Sequence, residues 1–250
     1  MVMGLFEDAL TWLFSPDRLE GPGALTVRIA EHLFYTSISV LIAAAIAIPI
    51  GYLIGHTGKG RDVAVAISGA ARALPSFGLI LFLVLLFGVL RVPIAAVLAF
   101  VLLAIPSILA GAYTGIQAID RHIIDAARAI GMTGWQVLWK VEIPLGLPLL
   151  IGGLRNGFLQ VVATVTLAAY VNLGGLGYDI LQGLPLRRYD QMLGSAIVIM
   201  VLALAVDGIF GLIQKSAVPR GVTLGQRTKL RTSPIRRRAV VGTSIEPERG

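Results

Sequence analysis

Long uncharged apolar stretches, separated by short charged breaks, run through most of the chain. About 20 apolar residues in a helix cross the hydrocarbon of a bilayer. The stretches therefore predict five membrane spans, at roughly 33–54, 63–90, 92–117, 144–170 and 191–214. Within the second, Leu74-Pro75-Ser76 predicts a kink, because Pro75 has no backbone N–H to donate. The third lies in an uncharged run of 28 residues, whereas the fourth and fifth each hold one charge, Arg155 and Asp207. The N-terminal stretch VMGLFEDALTWLF is too short to span and is broken by Glu7 and Asp8, which predicts an amphipathic helix at the interface. It lacks the basic start and longer apolar run of a cleavable signal peptide.

Composition sharpens this picture. Of 250 residues, 56% are hydrophobic and 14% charged, against about 25% charged in a soluble domain. Too few polar side chains exist to cover a water-soluble globule. The absence of cysteine removes disulfides, thiolate metal sites and cysteine nucleophiles. His32, His56 and His122 have no zinc-ligand spacing, so no metal site is expected.

The net charge of +7 belongs to the tail: residues 215–250 hold nine Lys/Arg against two Glu, and the rest of the chain is neutral. No aromatic residue lies among those charges to stack on bases, which argues against nucleic acid. A solvated tail held near anionic membrane lipid is the simpler expectation. Lys and Arg collect on the cytoplasmic side of membrane proteins. Placing the 55–62 loop, the 118–142 segment and the tail on one side gathers fourteen of them there and leaves five opposite. That orientation puts the N-terminus outside and the C-terminus in the cytoplasm. The expected organisation is an outer N-terminal segment over 1–31, a membrane domain over 32–215 and a basic, disordered tail over 216–250.

The segment between the third and fourth spans, DRHIIDAARAIGMTGWQVLWKVEIPLGLP, is neither apolar enough to span nor polar enough for a plain loop. It predicts two short helices joined by a turn. Asp120 caps the first, and Gly131 supplies the left-handed position at its end. Thr133 and Gln136 have the form of a capping box for the second, which Pro144 follows as the next span begins. Ile123, Ala127 and Ile130 share one face, suited to lying on the membrane and offering a knob to another molecule.

These residues carry a resemblance. Asp125-Ala126-Ala127, three residues, Gly131, nine residues and then Val141-Glu142-Ile143-Pro144 resemble the Glu-Ala-Ala motif of permease subunits in bacterial ABC importers. Asp125, Val141 and Ile143 replace the motif's Glu, Ile and Leu, and the spacing is kept in full. The stretches ARALPSFGLILFL (71–83) and GLRNGFLQVVATVTLAAYVNLGGLG (153–177), with Asp207, are similar to the osmoprotectant group, which imports glycine betaine, carnitine, choline or proline. The likeness covers roughly residues 33–214.

The resemblance implies an all-α polytopic fold of the type-I importer class in the bacterial cytoplasmic membrane, with segment 119–143 as the coupling helix. It implies cytoplasmic ATPase subunits docked there, a second permease, identical or paralogous, and an extracytoplasmic substrate-binding protein. Asp125, Ala126, Ala127, Gly131, Val141, Ile143 and Pro144 would then form the ATPase-coupling set, with small side chains where the helix sits close to its partner. ATP and Mg would be bound by the partner, and no cofactor by this chain.

The residues themselves agree that the chain has no nucleotide loop. Gly174-Gly175-Leu176-Gly177 lacks the Gly-Lys-Ser/Thr of a phosphate cradle, and Gly58-Lys59-Gly60 has Leu53 where the first loop glycine belongs. No catalytic group is expected. Arg155 and Asp207 are costly in a membrane and lie at similar depth, so they are expected to pair, as a gate or substrate contact or as a structural tie. Asn156, Gln160 and Thr164 recur every four residues, lining a watery path or bonding a neighbouring helix. Residues 171–190 read either as a re-entrant turn that meets a binding protein or as a connecting loop. Gly-x-x-x-Gly spacings at 51/55, 111/115 and 153/157 predict close helix packing. An importer permease for another small solute, such as an amino acid, is the alternative. An ion-driven secondary transporter would call for an inverted repeat and an acidic relay, and a non-transporting scaffold would leave the coupling pattern unexplained.

Overall fold

The computed structural model describes residues 2–21 and 23–217; residues 218–250, and with them the expected disorder of the tail, lie outside that range. Every regular element among the described residues is helical: α1 (Val2–Leu13), α2 (Pro16–Leu19), α3 (Leu25–Thr57), α4 (Arg61–Ala73), α5 (Ser76–Phe87), α6 (Val92–Gln117), α7 (Arg121–Ala129), α8 (Gly134–Val137), α9 (Ile143–Val165), α10 (Gly177–Leu186) and α11 (Tyr189–Ser216). Short 3₁₀ turns cover Val89–Arg91 and Thr166–Val171. A π turn over Leu138–Glu142 joins α8 to α9.

Among the described residues, four helical runs are long and apolar enough to cross a membrane: Leu25–Thr57, Val89–Gln117, Gly134–Val171 and Tyr189–Ser216. The second expected span, 63–90, is broken, because α4 and α5 meet at 90°. The kink expected there is a full interruption: Leu74 and Pro75 both take extended backbone, as the residue before a proline tends to. The first span also starts earlier than its apolar run, at Leu25 instead of 33. Charge ended the apolar stretch without ending the helix, since Arg28 and Glu31 pair one turn apart at 3.3 Å.

Helices α3, α6 and α9 form the centre. Lipid offers no hydrophobic drive for helices to associate, so close approach of small residues does the work. Ala43 and Ala47 of α3 and Ala95, Ala96, Ala99, Ala104 and Ala112 of α6 are all fully buried. A side chain on Gly51 or Gly55 would collide with α6 at Ala112 and Ile116, and one on Gly111 or Gly115 with α9 at Gly153 and Gly146. Thus α3 and α6 run parallel and α9 antiparallel to them, and all three expected glycine spacings sit at crossings. Helix α11 packs on α9, and α1 packs on α11.

The N-terminal helix therefore has a protein neighbour as well as an interface. Ala9, Trp12 and Leu13 are buried, with Trp12 against Gly194, while Met3, Phe6, Leu10 and Phe14 stay exposed. The ends of the bundle differ. One, the elbow end, carries the close of α3, the close of α6, α7 and α8. The other, the loop end, carries the 171–190 segment and residues 2–24.

Candidate functional site

The elbow is built by local chemistry. Asp120 accepts from the His122 backbone N–H at 3.0 Å and caps α7. Gly131 has φ +84°, the left-handed geometry that glycine takes at least cost. Thr133 and Gln136 form the reciprocal capping box, with bonds of 3.4 and 2.9 Å. Inside the elbow, Ile124, Ala127 and Val137 are buried together, with Ile119, Met132 and Val141 against them.

Two expectations change here. The face of Ile123, Ala127 and Ile130 is split: Ala127 turns inward beside Ile124, while Ile123 and Ile130 are exposed, the latter at 80%. A 100° step per residue places Ala127 nearest the buried arc, so it is drawn in and the isoleucines are left out. Pro144 also does not separate the elbow from the next span. Helical structure continues from Gly134 to Val171 because the π turn lets Ile143 donate to Leu138 O, five residues back, and so absorbs the donor that Pro144 lacks.

Within the coupling pattern, Asp125, Ala126 and Gly131 are exposed, Ala127 is buried, and Val141 and Ile143 are half-buried. Glu142 between them is 3% exposed and meets the His56 Nδ1 at 2.5 Å. This contact, across 86 residues, ties the end of α3 to the start of α9. Sequence reasoning missed it; the one signal was a carboxylate set between apolar neighbours.

In mid-bundle, Arg155 Nε and Nη2 donate to the two carboxylate oxygens of Asp207 at 2.5 Å each, joining α9 to α11. The polar stripe on α9 is uneven. Asn156 is exposed, Gln160 half-buried, and Thr164 is buried with its hydroxyl donating to the Gln160 backbone O at 2.7 Å. Thr164 is thus satisfied within its own helix, while the Asn156 and Gln160 side chains have no protein hydrogen bond among the described residues.

At the loop end, Arg18 reaches Asp179 of α10 at 2.5 Å with both side chains nearly buried, and its guanidinium lies 4.3 Å from the Trp12 ring centroid. Burial pushes the Asp179 carboxyl above its usual range, and Arg18 and Arg28 oppose that. Gln191 donates to Asp179 O at 3.0 Å, Ser195 to Leu176 O at 2.6 Å, and Gly175 N–H to Glu31 at 2.8 Å. The 171–190 segment is therefore a folded insertion held to α2, α3 and α11. Neither Arg18 nor Asp179 was legible as a pair, since 161 residues separate them.

Against this geometry the comparisons are decisive. A family model described as "Binding-protein-dependent transport system inner membrane component" matches residues 47–219. The chain belongs to this family. It is an importer permease, with ATP hydrolysis in a separate subunit of such systems. It is 30% identical over 200 residues to the glycine betaine/carnitine/choline transport system permease protein OpuCB of Bacillus subtilis, covering 80% of this chain and 91% of that one. It is 32% identical over 198 residues to the carnitine transport permease protein OpuCB of Listeria monocytogenes, covering 79% and 90%. A chain of the inward-facing MetNI methionine ABC transporter superposes with a TM-score of 0.69 at 22% identity, covering 78% of this permease and 96% of its own length. That likeness gives the type-I importer permease fold.

Paired charges in this permease predict non-additive mutants. Arg155→Ala and Asp207→Ala are each expected to lower reconstituted uptake and assembly, and the double mutant to do no worse than the poorer single. Uptake and detergent-stable yield measured on all three check this; additive losses would show that the contact contributes nothing as a pair.

Proposed function

We propose that this permease forms half of the translocation pathway of an ATP-driven importer for a small osmoprotectant such as glycine betaine, carnitine, choline or proline. The relatives named for such solutes support the substrate class, and the basic balance of the chain supports an elbow end in the cytoplasm with the N-terminus outside. The observation that carries the mechanism is the elbow itself: a capped helix, α7, that exposes Asp125 and Ala126, beside the His56–Glu142 contact that ties the end of α3 to the start of α9. ATPase subunits dock on it, with Asp125, Ala126, Ala127, Gly131, Val141, Ile143 and Pro144 as the coupling set. A second permease, identical or paralogous, completes the pathway, with membrane lipid around both.

Closure of the ATPase pair moves the two elbows together. Because the helix continues from Gly134 through α9, the push passes directly into the span that carries Arg155, Asn156, Gln160 and Thr164. Rigid-body movement of the spans then turns the cavity from outward to inward access. Asn156 and Gln160 offer amide groups to solvent or solute along that path, while the Arg155–Asp207 tie with α11 makes the two spans move as one. An extracytoplasmic binding protein delivers the solute at the loop end.

The test is uptake by vesicles holding the permease with its ATPase and binding protein. Uptake of labelled glycine betaine or choline should survive a protonophore and stop on ATP depletion; the reverse would indicate an ion-driven carrier. Competition by amino acids alone would point to the other solute class. Gly131→Val adds a second check. A β-carbon there meets nothing within 4 Å, so the substitution acts through backbone strain and not collision. At about 1–2 kcal/mol against the native elbow, uptake per ATP hydrolysed is expected to fall roughly tenfold with hydrolysis retained. Coupled transport at the wild-type ratio would count against the elbow as the transmission point.

A further inference from the structure

The elbow end also holds a cationic cleft. A cavity of about 400 Å³ lies between the end of α3, the start of α4, the end of α6 and one flank of α7. Arg61, Arg121 and Arg128 line it, together with Ile124 and the His56–Glu142 contact. Arg61 comes from the first turn of α4, Arg121 from the first position of α7 and Arg128 from its last turn.

Among the described residues none of these three guanidinium groups has a carboxylate within ion-pair distance. Glu142 is the one acid on the lining, and its carboxylate is already taken by His56. The cleft therefore gathers three cations around a space far larger than the ~30 Å³ share of one water. Guanidinium groups so placed repel one another, and each presents a planar fork of donors matched to phosphate oxygens.

Arg121 and Arg128 share one side of α7 with Asp125 of the coupling set, so the cleft borders the docking face. At 100° per residue, Arg121, Ile124 and Arg128 fall within about 60° of arc on α7. His122, Ala126 and Ala129 lie on the other side of the helix, and all three are exposed. Arg61, Arg121 and Arg128 are exposed as well, and they line the cleft between α7 and the ends of the spans from its open rim. A ligand bridging them would join α7 to α4.

We propose that this recess is a binding site for a phosphate-type oxyanion, carried either by an anionic lipid headgroup or by free phosphate. The site binds the group through Arg61, Arg121 and Arg128 and holds the elbow against the span ends. Nothing in this assignment depends on the transported solute.

The experiment is calorimetric titration of the purified full chain in an uncharged detergent, with inorganic phosphate and with dioctanoyl-phosphatidylglycerol as probes. Dioctanoyl-phosphatidylcholine is the zwitterionic control. Binding of both anionic probes identifies a site open to free phosphate, and binding of phosphatidylglycerol alone identifies a lipid headgroup site. In either case, Arg61→Gln/Arg121→Gln/Arg128→Gln should weaken binding by about tenfold or more, given the strength of charge-assisted contacts, while Lys140→Gln, which does not line the cavity, should not. If the triple variant elutes as aggregate, Arg121→Gln alone replaces it, with a loss of about threefold expected from one such contact. Failure of both anionic probes to bind, equal binding of phosphatidylcholine, or binding that survives these substitutions overturns the proposal.

Discussion

Gly153→Val is expected to destabilise the folded permease strongly, whereas Gly69→Ala should leave it intact. A β-carbon on Gly153 would stand 2.8 Å from both Gly111 Cα and Ser107 O and 3.1 Å from Gly111 N. These are backbone atoms of α6, which cannot swing aside as a side-chain terminus can. The reverse contact is as close, with a Gly111 β-carbon 2.7 Å from Gly153 Cα. Relief requires that α6 and α9 separate, and α6 cannot move freely because its other face is packed on α3 at Gly51 and Gly55. Overpacking costs about 1–3 kcal/mol where side chains can adjust, so a crossing of two rigid backbones belongs at or above the top of that range. A loss of about 3 kcal/mol lowers the unfolding midpoint of a chain this size by roughly 6–12 °C. Gly69 lies on α4 with nothing within 4 Å of its β-carbon, so alanine there brings only its better helix propensity. Size-exclusion profiles and thermal unfolding of the two variants in detergent decide the matter. A Gly153→Val protein that elutes and melts like the wild type would mean that this crossing does not hold the bundle together.

That crossing shows what a sequence can and cannot reveal. Gly-x-x-x-Gly spacing announces that a helix will be approached closely, but the partner is set by the packing of the whole bundle. The elbow was legible in more detail because its determinants are local: Asp120, Gly131 and the Thr133–Gln136 box each act within three or four residues. Apolar length located the spans for the same reason. It failed at Leu74-Pro75, where one proline cannot signal whether a helix bends or breaks by 90°. It failed again before residue 33, where Arg28 and Glu31 neutralise each other and Arg28 also lies 4.1 Å from the Tyr178 ring centroid. Of the pairs that fasten the two ends of the bundle, Arg18 with Asp179 left no local trace, and His56 with Glu142 left only a carboxylate set between Val141 and Ile143. Arg155 and Asp207 are the instructive contrast. Each stood alone in an apolar span, and the cost of leaving either unpaired made the other its obvious partner.

Arg18→Met should cost this permease about 3 kcal/mol at neutral pH, and the loss should shrink as the pH falls. Arg18 is the main cation facing Asp179, and its removal leaves a carboxyl that is 2% exposed with only the more distant Arg28 to offset burial. Burial already raises the folded pKa of Asp179 above its ordinary 3.8, and loss of Arg18 raises it further. A carboxyl with a raised folded pKa binds more protons folded than unfolded. Its contribution to stability is complete below about 3.8 and is lost as the pH climbs through the folded value. Thermal unfolding of Arg18→Met across pH 4–7 should therefore show a midpoint that drops with rising pH more steeply than in the wild type. Breaking a buried pair from one side is costly, whereas replacing both partners by apolar groups of similar size is close to neutral. Arg18→Met with Asp179→Leu should accordingly recover most of the lost stability and remove the added pH dependence. A single mutant whose loss is the same at every pH would mean that Trp12, which packs under the guanidinium, is the partner that matters. The stakes are mechanical: Arg18–Asp179 is the one ion pair joining α2 to α10 among the described residues, so its loss leaves the N-terminal segment held by the packing of α1 on α11. Faster proteolysis of that segment in Arg18→Met, reversed in the double mutant, would follow from the same cause.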